Sequence, residues 1–179
     1  HNQPWYRGET VITGIGQGYM LATPLQLAHA VAGLGARGKV YQPRLVQAVE
    51  IPGGNALQTL PPTLTDAIEI HDAQNWDDVI EAMRSVVHAP NGTANAAGRG
   101  APVQFAGKTG TAQVFGIRQD QRYVEAERLR DHGLFVAFAP VQDPQIAIAV
   151  IVENGGSGSG AAAPVARRLI DHYFGKTRS

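Results

Sequence analysis

The chain has 179 residues, with fifteen basic and fifteen acidic side chains and no cysteine. That length supports one domain with a real core. The balanced charge leaves no global field to favour nucleic acid or an anionic membrane, and the lack of cysteine excludes disulfides and thiolate metal sites.

The longest apolar run, Ile146–Val152, is far too short to span a bilayer, and no signal peptide is visible. The chain opens on His1 rather than methionine, as expected of a piece of something longer with any membrane anchor in the remainder. Residues 1–22 carry Trp5-Tyr6 and then Gly14, Gly16 and Gly18 at alternate positions. Such a stretch is a poor helix or strand interior and is expected to be an irregular loop. Its spacing does not match the dinucleotide fingerprint, so a phosphate-binding loop is disfavoured. Thr23-Pro24-Leu25-Gln26 predicts a helix start, with Thr23 as cap, Pro24 pre-set for the first turn and Gln26 completing a capping box. The helix is apolar around much of its girth, which predicts burial, and Gly35 and Gly38 end it. His29 lies in it as a hydrogen-bonded core or boundary residue, with no second metal ligand at a useful spacing.

Residues 40–51 read as a short strand after Pro43, and residues 52–72 as a surface excursion rich in proline, glycine and threonine. Asn75 is the expected cap of an amphipathic helix with Trp76, Val79, Ile80, Met83, Val86 and Val87 on its apolar face. Asp77 and Asp78 suit its first turn and need no acid/base role. Ala89-Pro90-Asn91-Gly92-Thr93-Ala94 breaks the helix.

Residues 101–114 then form the stretch richest in chemical content. Pro102 suits the start of a strand, and Val103 and Phe105 alternate with polar or small neighbours. Lys108-Thr109-Gly110-Thr111 continues the same run. Alternation puts Thr109 and Thr111 on one face and Lys108 on the other. A cation, two hydroxyls and a glycine on a strand edge suit an extended, carboxylate-bearing peptide laid alongside as an added strand. Taken alone, the same residues also fit an ordinary edge strand with a solvated lysine. A P-loop is excluded, because the glycine it requires five positions before Gly107 is Pro102.

Residues 115–132 form a charged excursion, read as a solvated loop with a short helical piece or, alternatively, a partner-binding or gating flap. Residues 134–139 and 145–153 are strong strands joined by a tight connection, so an antiparallel sheet of the Lys108, Leu134 and Ile146 strands is expected. Residues 155–160 read as a flexible joint; neither Ser157 nor Ser159 has the flanking glycines of a nucleophile elbow. Residues 164–174 predict a helix that packs back on the sheet through Val165, Leu169, Ile170, Tyr173 and Phe174.

Across nearly its whole length the chain resembles the C-terminal part of the transpeptidase domain of a class B penicillin-binding protein. The resemblance rests on Trp5-Tyr6, Gly14-Ile15-Gly16-Gln17-Gly18-Tyr19, Ala22-Thr23-Pro24, Pro90-Asn91-Gly92-Thr93-Ala94 and Lys108-Thr109-Gly110-Thr111-Ala112-Gln113-Val114-Phe115-Gly116. It extends through Ala126-Glu127-Arg128-Leu129-Arg130-Asp131-His132, Phe138-Ala139-Pro140 and Glu153-Asn154-Gly155-Gly156. It implies an α+β fold, an antiparallel sheet flanked by helices, as in penicillin-binding proteins and serine β-lactamases. It also implies three motifs meeting in a cleft: Ser-x-x-Lys with the nucleophile, Ser-x-Asn, and Lys-Thr-Gly on the edge strand. Only the third is present. Ser85, Ser157, Ser159 and Ser179 are the only serines, and none has a lysine three residues on or an asparagine two residues on.

The resemblance further implies a D,D-transpeptidase that cross-links peptidoglycan stem peptides through a serine acyl-enzyme and is acylated by β-lactams. Lys108 would be the catalytic cation. Thr109, Gly110 and Thr111 would bind the substrate, with the Thr111 N–H in the oxyanion hole. Neither a metal nor a cofactor is implied. The implied partners are the nucleophile-bearing half of the same protein and cell-elongation membrane proteins, at the periplasmic face of the bacterial inner membrane. The chain alone is expected to be inactive. A β-lactamase or penicillin-sensing relative, or a non-enzymatic partner-binding module, are the alternatives.

Overall fold

A computed structural model describes residues 4–50, 57–113 and 130–177. The elements in order are α1 (Arg7–Gly14), α2 (Pro24–Gly35), β1 (Lys39–Tyr41), β2 (Ala48–Glu50), β3 (Leu57–Thr59), β4 (Leu64–Ala67), α3 (Gln74–His88), α4 (Asn95–Gly98), β5 (Ala106–Ala112), β6 (His132–Ala139), β7 (Ile146–Val152) and α5 (Ala163–Thr177). A wide helical turn, Gly158–Ala162, leads directly into α5. This is the α+β architecture expected, with antiparallel strands and helices packed on them.

The central sheet runs β5-β6-β7, antiparallel throughout. Lys108 stands opposite Val136, and Val136 opposite Ala149. Alternation then gives the sheet two apolar faces. On one, Phe105, Phe135 and Ile148 pack with Val87 at the end of α3 and with Ala166 and Ile170 of α5. On the other, Ala106 and Phe138 pack with Val31 of α2 and with Ile80 and Met83 of α3. Phe105, Phe135 and Phe138 are fully buried, and each contributes roughly 1.5–3 kcal/mol by leaving water. Arg167 of α5 ties the helix to the turn before β5: Nη1 donates to Ala97 O at 2.7 Å and Arg99 O at 3.0 Å, Nη2 to Gly100 O at 3.0 Å. Its Nε is held by Asp171 at 2.7 Å.

Several local expectations hold. Thr23 and Gln26 form the capping box of α2, with Pro24 at its start. His29 is a boundary residue whose Nε2 lies 2.8 Å from Tyr41 O. Asp77 sits in the first turn of α3, where its hydrogen bond to Arg37 holds the carboxyl below the usual range.

Others are corrected. Residues 7–14 are helical rather than loop, and α1 buries none of its residues, so no apolar stripe announces it. Helix α2 is buried only along Val31, Gly33 and Gly35, with Leu25 67% exposed. The single strand read in residues 40–51 is two, β1 and β2, and the 52–72 excursion contributes the exposed strands β3 and β4 that pair with them. Asn75 lies inside α3; the side chain at its entry is Asp72, whose Oδ1 accepts from Gln74 N at 2.9 Å. Val79 of its predicted apolar face is exposed. Strand β5 begins at Ala106, not near Pro102. Residues 158–162 form the turn entering α5, with Gly158 buried, rather than a loose joint. Helix α5 faces the sheet with Ala163, Ala166, Ile170 and Phe174, while Val165, Leu169 and Tyr173 form a second, half-exposed stripe. The charged excursion of residues 115–132 lies outside the described residues as far as 129. Among the described residues, no helix is long and apolar enough to cross a membrane.

Candidate active site

Strand β5 is an outer strand of the central sheet, with only β6 beside it among the described residues. Along an antiparallel strand, the N–H and C=O of each residue point to one side, and the side alternates. Phe105 N faces His88 and Thr111 O faces Gln17, both away from β6. Residues 105, 107, 109 and 111 therefore present their backbone polar groups to the open side, while Lys108, Gly110 and Ala112 pair with Val136, Leu134 and His132.

Three side chains occupy this open edge. At its start, His88 Nε2 lies 3.3 Å from Phe105 N and 3.1 Å from Phe105 O, with its ring edge-on to Phe105 at 5.6 Å. In the middle, Lys108 folds its ammonium back over the edge and donates to Thr109 O at 2.8 Å. At the far end, Gln17 Nε2 donates to Thr111 O at 2.8 Å. Lys108 and Thr111 are exposed, and Thr109 and Gly110 are half-buried. Thr109 Oγ1 lies 3.2 Å from Thr93 Oγ1, on the loop between α3 and α4. No β-segment among the described residues covers positions 109–111.

The His88 imidazole is pushed toward its neutral form. Burial is the main cause pushing it below its ordinary 6.5, and the nearby charges of Arg84 and Arg167 add to this, against the Phe105 carbonyl. A proton therefore binds the unfolded chain more readily than the folded one. The stability tied to this contact is complete above 6.5 and is lost as pH falls through the lowered folded value. Amide exchange at Phe105 in the full-length protein is expected to accelerate between pH 7.5 and pH 5, after correction for intrinsic rates. Replacing His88 with glutamine should flatten that dependence; an unchanged slope would show that the contact does not titrate with His88.

The structure thus gathers Lys108, Thr109, Gly110 and Thr111 on one accessible edge. Sequence reading missed three neighbours of that edge. His88 and Thr93 sit 20 and 16 residues before Lys108 and Thr109, and only the packing of α3 beside β5 joins them. Gln17 lay in a stretch read as a structural glycine loop. Among the described residues, no group of three or more side chains could hold a metal ion.

A family model described as the penicillin binding protein transpeptidase domain matches residues 1–171. The peptidoglycan D,D-transpeptidase MrdA of Salmonella typhimurium is 42% identical over 179 residues, spanning 97% of this chain and 28% of that protein. The crystal structure of Pseudomonas aeruginosa PBP2 in complex with WCK 5153 is similar at TM-score 0.76 and 44% identity, over 96% of this chain and 33% of that one. Helicobacter pylori PBP2, solved in complex with MreC, is similar at TM-score 0.72 and 29% identity, over 98% and 29%. The chain therefore spans under a third of the length of these relatives.

Proposed function

Because the chain belongs to the penicillin-binding protein transpeptidase family, we propose that it forms one wall of a D,D-transpeptidase cleft, the wall that grips the C-terminal tail of a peptidoglycan stem peptide. The observation that carries this reading is the open edge of β5, where Lys108 and both threonines flank backbone groups left unpaired by β6. An extended peptide can pair there as an added strand. It would take the Thr111 carbonyl from Gln17 and the Thr109 carbonyl from Lys108, freeing the ammonium to meet the terminal carboxylate. The hydroxyls of Thr109 and Thr111 donate to the same carboxylate.

The nucleophile of this reaction is a serine outside the chain. It attacks the carbonyl of the penultimate D-alanine, the terminal D-alanine leaves, and an amine of a second stem takes the acyl group. The Thr111 N–H points to the open side and donates to the oxyanion that forms in between. A β-lactam enters the same path and stays as the acyl-enzyme. The solved pairing of a relative with MreC supports work beside cell-elongation membrane proteins at the periplasmic face of the inner membrane.

The test is covalent labelling. The full-length gene product, incubated with a fluorescent penicillin and denatured, is expected to carry label on a serine outside this chain, and residues 1–179 alone are expected to carry none. An unlabelled full-length protein, or a labelled isolated chain, would overturn the reading.

A further inference from the structure

The loop between α3 and α4 is tightly held. Gly92 N donates to Ala89 O at 2.9 Å, Ala94 N to Val86 O at 3.0 Å, and Asn95 Nδ2 to Ala89 O at 2.9 Å. A Cβ at Gly92 would overlap Val86 O and lie 2.5 Å from Ser85 O, so glycine lets the loop fold flat onto the end of α3. The loop is anchored on both sides of Thr93, yet Thr93 itself is exposed. Its side-chain hydrogen bond among the described residues is with the Thr109 hydroxyl, at 3.2 Å.

Two hydroxyls in contact hold two protons but share only one hydrogen bond. If Thr109 donates to Thr93, its proton points away from the cleft. If Thr93 donates to Thr109, the Thr109 proton is free to point at an anion on the strand edge, and the two bonds in series polarise one another. A bound carboxylate selects the second arrangement.

We propose that Thr93 is a positioning residue: it donates to Thr109 and turns the Thr109 proton toward the substrate carboxylate. The inference rests on the reading of the β5 edge given above and extends it to a residue outside the Lys-Thr-Gly strand. Thr93 touches Thr109 rather than the reacting atoms, so its effect passes through carboxylate recognition alone.

The experiment uses the full-length gene product and two ligands, a β-lactam with a free carboxylate and its methyl ester. Thr93→Val removes the hydroxyl at nearly constant volume, and Thr93→Ala repeats the test without the branched side chain. Loss of one neutral hydrogen bond predicts acylation efficiency toward the acid lowered roughly five- to tenfold, through weaker initial binding. The ester should react as it does with the unaltered protein, and Thr93→Ser should restore the acid. Equal losses on acid and ester, no loss on either, or failure of serine to rescue would overturn the proposal. An unaltered protein that is acylated alike by acid and ester, or by neither, would instead refute the reading of the edge itself, and the role of Thr93 with it.

Discussion

Replacing Lys108 with alanine in the full-length protein is expected to lower the rate of β-lactam acylation by roughly a hundredfold or more. The side chain is exposed, and its visible hydrogen bond is to the neighbouring Thr109 carbonyl. Its removal therefore costs the fold little, and melting temperature should be unchanged. On the proposed reading, what it removes is the cation that meets the substrate carboxylate. A unit charge about 4 Å from its partner contributes on the order of 1 kcal/mol in water and 4 kcal/mol near a protein surface, which brackets the expected loss. Lys108→Arg should not rescue fully, because a broad planar fork cannot fold back over the strand as a compact ammonium does. Unaltered acylation by Lys108→Ala would remove the lysine from the mechanism.

The second large effect lies behind the strand. Gly158 opens the turn into α5 and rests on the sheet where β5 meets β6. A Cβ there would overlap Leu134 O and lie 2.5 Å from Gly110 O and 2.9 Å from Gly110 N. All three atoms are backbone, and Gly110 and Leu134 are paired in the sheet, so none can step aside as a side-chain tip would. Gly158→Ala is expected to destabilise by about 3 kcal/mol, the upper end of ordinary overpacking. Relief by pushing Gly110 outward would move the Gly110–Thr111 peptide and its N–H, so acylation should fall alongside stability. Gly175→Ala is the control: nothing lies within 4 Å of a Cβ there, and alanine in a helix is neutral or stabilising by up to about 1 kcal/mol. Chemical denaturation of the two variants, with acylation measured in parallel, separates the outcomes. A Gly158→Ala protein as stable as the control would show that α5 does not press on the strand.

The central sheet was legible from composition as much as from period. Ile146–Val152 is built of β-branched and small residues, as suits a strand with no exposed position, and Lys108-Thr109-Gly110-Thr111 continues the alternating run begun at Val103 and Phe105. The start of α2 was legible because capping is local chemistry within four residues. Elsewhere, local signals ran out. Helix α1 buries nothing, so no stripe distinguishes it from a loop. Helix α5 carries two stripes, and periodicity merged them, taking Val165, Leu169 and Tyr173 together with Ile170 and Phe174, of which only the last two reach the core. The close approach of the helix to the sheet instead selects Ala163 and Ala166, which only the packing reveals. Thr93 lies in a stretch that carries the family resemblance, yet it and His88 join the candidate site through tertiary contact alone, and no spacing marks a residue whose partner is set by how a helix crosses a strand edge.

The sheet has a second outer strand, and its character differs from that of β5. Among the described residues β7 pairs only with β6, and Ile146–Val152 contains no charge, proline or bulge to discourage a newcomer. Natural sheets blunt such margins with these devices. A polypeptide ending in this form is a template for its own copies, so residues 1–179 produced in isolation should polymerise margin to margin unless another strand is supplied. Solubility would then rest on a strand supplied alongside β7, while the proposed peptide site lies on the opposite side of the same three strands.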